Sequence, residues 1–307
     1  MIRYLQRDQI DDQHWDMVVE ASGFETVYAH SWYLDACAGT WGALVAPDYE
    51  YVMPVAFGKK FGIKYTYQPR FCQQLGVYSE KLVDDEVLGM FLLEVKNRFR
   101  FGDYAFNEGN RLVKERGREI TENTNYTLKL GSLYGELKQD YSDNCRRNQQ
   151  RAIRSGLEFS DDISVWELVQ MKRQHDHRKQ LDAHYHSLTG MFSSMKEAGH
   201  VKVCGVKLKG QLCAGAIFAY CKKRVHYLLS VSDTAGKENS GMFMVIDRII
   251  QSLAEKEMYL DFEGSNIPTV ARFFKGFGAD PQVYQRISFN SAASKLIQIV
   301  RNTRRHG

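Results

Sequence analysis

The 307-residue chain holds only five prolines, so few positions force a break and long stretches can be regular secondary structure. Its six cysteines (Cys37, Cys72, Cys145, Cys204, Cys213 and Cys221) include no Cys-x-x-Cys pair, which argues against a zinc knuckle or a disulfide frame. Free, buried thiols are the expectation. His175, His177, His184 and His186 tempt as metal ligands, but none stands four residues from another, the spacing helical zinc pairs use. No metal site is expected. No window approaches the ~18 uninterrupted apolar residues of a membrane span. The opening MIRYLQRDQIDDQHW is charged too early for a signal-peptide core, which makes cytoplasmic location the expectation. Charge of one sign is also missing: 41 Lys and Arg face 37 Asp and Glu, a net of +4. That balance permits a phosphate-bearing ligand and disfavours a large RNA contact.

Aromatics are abundant, with seventeen Tyr and seventeen Phe, and 44% of residues are hydrophobic. Such a chain buries a real core, and its length suits two domains of about 150 residues. Helical spacing recurs over 11–21, 31–38 and 83–99, with strands expected at 51–57, 63–67, 104–106 and 126–130. Gly58-Lys59-Lys60 reads as the hairpin turn between the first two strands. Residues 133–156 read as a helical bridge in which Arg147, Arg151 and Arg154 form one stripe.

The second half follows a clear programme. Helices are expected over 163–181 and 187–198, then strands over 201–208, 211–220 and 224–231 joined by Lys209-Gly210 and Lys222-Lys223. A polar loop over 232–241 precedes a helix over 242–256. A short strand, MYLDF, then ends on Glu263-Gly264, and a helix over 267–275 follows with Asn266 as N-cap and Pro268 in its first turn. A strand over 282–289 and a helix over 292–305 complete the chain. The order is α+β with a mixed sheet.

Several residues in this half are candidates for chemistry. Gly236, Lys237, Asn239, Ser240 and Gly241 precede a helix start, where small residues let backbone N–H groups approach an anion. An ordinary connecting loop is the alternative. Glu263, at a strand end, can accept a proton from an attacking amine or can cap the next helix. Tyr227 and Ser230 share the third strand, as ligand contacts or as plain core. Lys275 ends its helix, where a cation is favourable in any case.

Two motifs carry a family resemblance. Asp261-Phe262-Glu263-Gly264, followed by Phe274-Lys275, resembles the D-F-x-G turn and F-K pair that end the catalytic domain of Fem-type peptidyltransferases and related GNAT-like acyltransferases. Tyr141-Ser142, Arg146-Arg147-Asn148 and Ala152-Ile153-Arg154-Ser155-Gly156-Leu157 resemble the Fem segment Y-S-x-x-x-R-R-N-x-x-x-A-I-R-x-G-L. The resemblance implies two tandem GNAT-like domains, each a mixed, mostly antiparallel sheet flanked by helices. It divides the chain into a first domain over 1–132 with 290–307 packed back on it, a basic linking helix over 133–157, and a second domain over 158–289.

The activity it implies is transfer of an acetyl or aminoacyl group from an activated donor to a primary amine, with bacterial cell-wall or polysaccharide precursors as acceptors. No tightly bound cofactor is implied. Acyl-CoA or an aminoacyl-tRNA would enter as co-substrate, beside a small-molecule or nucleotide-linked precursor. Lys275 would then hold a phosphate or an oxyanion, Tyr227 and Ser230 would contact the donor, and Arg178 would reach the acceptor. The alternative is a non-catalytic ligand-binding protein on the same scaffold.

Overall fold

A computed structural model describes residues 1–112, 119–175, 180–264 and 266–289. Two compact units divide the chain: Met1–Thr124 together with the segment from Gln282, and Asn125–Pro281. Residues 133–157, expected as a bridge, lie wholly within the second unit. The helix expected over 292–305, and Arg178, lie outside the described residues.

The first unit begins with β1 (Arg3–Gln6), α1 (Asp12–Ala21), α2 (Ser31–Cys37), β2 (Trp41–Val45), β3 (Val52–Lys60) and β4 (Ile63–Thr66). Next come α3 (Asp85–Arg98), β5 (Phe101–Ala105) and β6 (Glu119–Lys129), which runs on into the second unit. Asp11 and Asp84 cap α1 and α3 by accepting the N–H of His14 and Val87. The hairpin turn lies at Phe61-Gly62, not at 58–60, because Lys60 pairs Ile63 and both turn residues take positive φ, 50° and 80°. Gly58 is instead needed for packing: a Cβ there would sit 2.6 Å from the Tyr65 ring.

The second unit contains α4 (Tyr134–Gln139), α5 (Asp143–Arg154), β7 (Glu158–Ser160), α6 (Val165–His175), α7 (Asp182–Glu197), β8 (Val201–Leu208), β9 (Gln211–Tyr220) and β10 (Arg224–Ser232). After these come α8 (Thr234–Glu238), α9 (Gly241–Leu253), β11 (Tyr259–Asp261) and α10 (Pro268–Lys275), and β12 (Asp280–Phe289) returns to the first unit. Three expectations need correction. The expected 232–241 loop contains α8, because Asp233 caps it through the Gly236 N–H. The helix expected from 187 starts at Asp182. Ile267, not Asn266, is the N-cap of α10, with Pro268 in its first turn.

The strands of the two units repeat one plan. In the first unit the strand order is β1-β2-β3-β4-β5-β12, antiparallel except for the parallel pair β4–β5. In the second it is β7-β8-β9-β10-β11-β6, antiparallel except for β10–β11. Each unit places two helices between its first and second strands, and a helix between the two parallel strands. A parallel pair needs such a crossover, which explains α3 and α9. The repeat is therefore one of topology, although the letters of the two halves do not show it.

In the second unit successive residues of β9 serve opposite faces, as the pleat requires. A Cβ on Gly241 of α9 would meet Ala214 at 2.9 Å, whereas a Cβ on Gly215 would meet Leu168 of α6 at 2.7 Å. The sheet thus carries a helix on each side. Val245, Ile246, Ile249 and Ile250 of α9 are buried, each stabilising by roughly 1.5–3 kcal/mol on leaving water. Cys145, Cys204 and Cys213 are buried free thiols in the same unit.

Candidate active site

The site begins where β10 and β11 part. They pair in parallel from Arg224↔Tyr259 to His226↔Asp261. On the other edge of β10, a bulge slips the pairing with β9 between Tyr227 and Leu229, leaving Leu228 as the extra residue. Beyond this point the two parallel strands diverge around a cleft of about 450 Å³. One wall is Tyr227–Ser230, the other Phe262 and Glu263, and α10 closes it with Thr269, Val270, Phe273 and Phe274.

Aromatic packing holds these walls. The Phe262 ring lies 4.9 Å from that of Phe274 and 6.2 Å from that of Phe277. The Tyr227 ring meets Phe218 at 5.6 Å and stands edge-on to Phe274 at 6.2 Å. The apolar lining suits a ligand pocket with a few fixed polar groups.

Those polar groups are Tyr227, Ser230, Glu263 and Thr269. In an unbroken strand, residues three apart face opposite sides. The bulge at Leu228 puts Ser230 on the same side as Tyr227, near enough to act on its phenol. Burial pushes the Tyr227 phenol up to about 12, with Ser230 drawing it partly back, so the phenol keeps its proton at neutral pH.

Glu263 adopts a left-handed backbone conformation, φ 55°, followed by Gly264 at φ 35°. For a residue other than glycine this conformation costs about 1–3 kcal/mol and persists only when its surroundings impose it. Its N–H donates to Asp261 Oδ1 at 2.9 Å. Asp261, wholly buried, also accepts from Arg224 Nη1 at 3.1 Å and Asn125 Nδ2 at 3.0 Å. Losing one partner of a buried pair such as Arg224–Asp261 costs about 3–5 kcal/mol.

Residues 139–273 match the family model described as acetyltransferase (GNAT) domain. The crystal structure of FemX superimposes with a TM-score of 0.66 at 11% identity, over 92% of this chain and 96% of that one. The chain has a Fem-like tandem GNAT fold. A tandem GNAT protein from the clavulanic acid biosynthesis pathway aligns at TM-score 0.52 and 10% identity, over 94% of this chain and 98% of that one. The C-terminal domain of a candidate lysylphosphatidylglycerol synthetase from Agrobacterium fabrum gives 0.60 at 11% identity, covering 94% of each. No curated protein matches the chain in sequence.

The second unit brings three of the sequence candidates together: Tyr227, Ser230 and Glu263 all line the cleft. Lys275 is not among the lining residues. It is exposed, with Nζ 5.7 Å from the centre of the Tyr126 ring. Gly236, Lys237, Asn239, Ser240 and Gly241 are likewise absent from the lining, and several of their polar groups are already engaged. The Gly236 N–H donates to Asp233 Oδ1 at 2.7 Å, Asn239 Nδ2 to the Ala235 carbonyl at 2.9 Å, and Ser240 Oγ to Asn148 Oδ1 at 2.7 Å. Lys237 is exposed, and Gly241 starts α9.

Two polar centres of the second unit lie outside the residues that the sequence offered for chemistry, although the first agrees with the reading of Asp261 as structural. One is Asp261 with Arg224 and Asn125. The other is Asp247, whose Oδ1 accepts from Tyr134 at 2.8 Å and Tyr141 at 3.2 Å. A carboxylate inside the apolar MYLDF run was the available signal for the first. The arginines of α5 do form an exposed stripe: Arg146, Arg147, Arg151 and Arg154 border a hollow of about 660 Å³.

Proposed function

We propose that the second unit is an N-acyltransferase, moving an acetyl or aminoacyl group from an activated donor to a primary amine. The parting of β10 from β11 carries the reading, because it sets a proton acceptor and a protonated phenol on facing walls of one apolar cleft. Glu263 takes the proton of the attacking amine. A bond forms from nitrogen to the acyl carbon, and the bond from that carbon to the donor's sulfur or oxygen breaks. Tyr227, with Ser230 beside it, supplies the proton that the leaving atom takes up, and solvent resets both groups.

The donor is an acyl-CoA or an aminoacyl-tRNA, and the acceptor an amine on a cell-wall or polysaccharide precursor. Both donors carry phosphates, for which Lys237 and the first turn of α9 offer positive charge. Lys275, exposed and outside the cleft lining, is assigned a phosphate contact and not the oxyanion. Arg178 is carried forward from the family resemblance as an acceptor contact.

Mass spectrometry tests this on the full chain incubated with amine acceptors and either a series of acyl-CoAs or charged tRNA. An N-acylated product is expected, with turnover lowered about 10²–10⁴-fold by Glu263→Gln and by Tyr227→Phe at unchanged melting temperature. No product from any activated donor, with the protein folded, overturns the reading. It would favour the non-catalytic ligand-binding alternative, which the local engagement of Gly236 and Asn239 supports.

A further inference from the structure

Asp261 sits where two demands meet. Its Oδ2 accepts from Arg224 and Asn125, within the sheet, and its Oδ1 accepts from the backbone N–H of Glu263, the residue that turns into the cleft wall. Both oxygens are used, and the Arg224 guanidinium makes the first set charge-assisted. The intervening residue, Phe262, is pinned by its own N–H to the Tyr126 carbonyl at 2.9 Å and by the stack on Phe274. The chain cannot slide along β11. Rotation at Glu263 alone therefore decides where its Cα–Cβ bond aims, and φ 55° is a rotation this residue would not choose unaided.

We propose that Asp261 is a positioning residue: by holding the Glu263 N–H, it fixes the peptide plane from which Glu263 turns, and so sets the Glu263 side chain on the cleft wall. This rests on the reading of Glu263 as the proton acceptor. Arg224 and Asn125 fix the carboxylate, the carboxylate fixes the turn, and the turn aims the acid. A glutamate re-aimed by about 1 Å still lines the cleft but meets the amine poorly, and misplacement on that scale lowers rates by about 100-fold.

The test uses the full chain in an Arg224→Met background, so that a neutral residue at 261 does not strand the Arg224 guanidinium. Asp261→Asn keeps an oxygen for the Glu263 N–H, and Asp261→Leu does not. The Leu variant is expected to lower kcat about 10–100-fold at unchanged KM, with most of that loss recovered in the Asn variant. Adding Glu263→Gln to both is expected to erase the difference, because a residue acting through Glu263 then has nothing to act on.

Independently of any variant, the Glu263 amide in the unmodified chain is expected to exchange slowly with solvent, as a bonded donor. Equal kcat for the Asn and Leu variants, a difference that survives Glu263→Gln, or an unprotected Glu263 amide overturns the positioning role. Full turnover by Glu263→Gln alone overturns instead the reading of Glu263 on which it rests.

Discussion

The Ser240 hydroxyl donates to Asn148 Oδ1 at 2.7 Å, fastening the turn before α9 to the middle of α5. Ser240 also occupies a left-handed conformation, φ 59°. Asn148→Ala is expected to cost about 1 kcal/mol, the usual net value of such a bond, read as a lower urea midpoint at unchanged m. Ser240→Ala should cost at least as much, because the strained backbone stays. Ser240→Gly should be close to neutral, since glycine adopts that conformation freely and offsets the lost bond.

Gly236 is held by packing. A Cβ there would stand 2.1 Å from the Cys213 carbonyl oxygen, a backbone atom of β9 that cannot step aside. Gly236→Ala is expected to destabilise the protein by about 1–3 kcal/mol, measured by thermal or urea unfolding. Gly135 in α4 has open space around its Cβ position, and Gly135→Ala should stabilise by about 0.4–1 kcal/mol through the unfolded state.

Alkaline stability should report on Tyr227. Its phenol titrates near 12 in the folded protein and near 10 in the unfolded chain, so the stabilisation is complete below pH 10. It is lost as pH rises from about 10 to about 12, because the unfolded state sheds the proton first. The share of Tyr227 is on the order of 2 kcal/mol. Tyr104, Tyr134, Tyr141 and Tyr220 are shifted upward too, chiefly by burial, and add to the same decline. Tyr227→Phe is expected to flatten the pH 10–12 limb of the unfolding free energy without moving the neutral-pH plateau by a comparable amount.

Lys275 contributes little to stability, since an exposed cation over an aromatic ring is worth about 0.5–1 kcal/mol. Lys275→Ala should therefore fold normally. As a phosphate contact it is expected to raise the donor KM about 3–10-fold while kcat changes far less, and the effect should shrink at high salt. Steady-state kinetics at two ionic strengths checks both parts.

The three strands β8, β9 and β10 were legible in the sequence almost to the residue, because tight turns at Lys209-Gly210 and Lys222-Lys223 bracket strongly apolar runs. The strand, turn and helix around Glu263 were legible for the same kind of reason: a glycine and a proline punctuate them. By contrast, β2 is buried at every position and shows no alternation, and the four-residue β1 is too short to carry a pattern. The hairpin at Phe61-Gly62 was misplaced because Gly58, three residues earlier, competes as the turn glycine while serving a contact with Tyr65.

At the site, Glu263 could be named from its residue type and its place at a strand end, and Tyr227 and Ser230 from their place on the third strand together with the family resemblance. Their meeting could not, since it depends on which strands are neighbours and on one unpaired residue. Lys275 illustrates the converse. A matching motif singled it out, whereas the rotation of α10 sets Thr269 and Phe273 in the cleft lining and Lys275 outside it.

Leu228 changes the parity of its strand, because the residues on either side of it, Tyr227 and Leu229, pair with the consecutive partners Phe218 and Ile217. Were Leu228 drawn into the pairing, every later residue of the strand would slip by one place, and Ser230 would turn to the side opposite Tyr227. A chain can thus keep its architecture and forfeit its chemistry by becoming more regular.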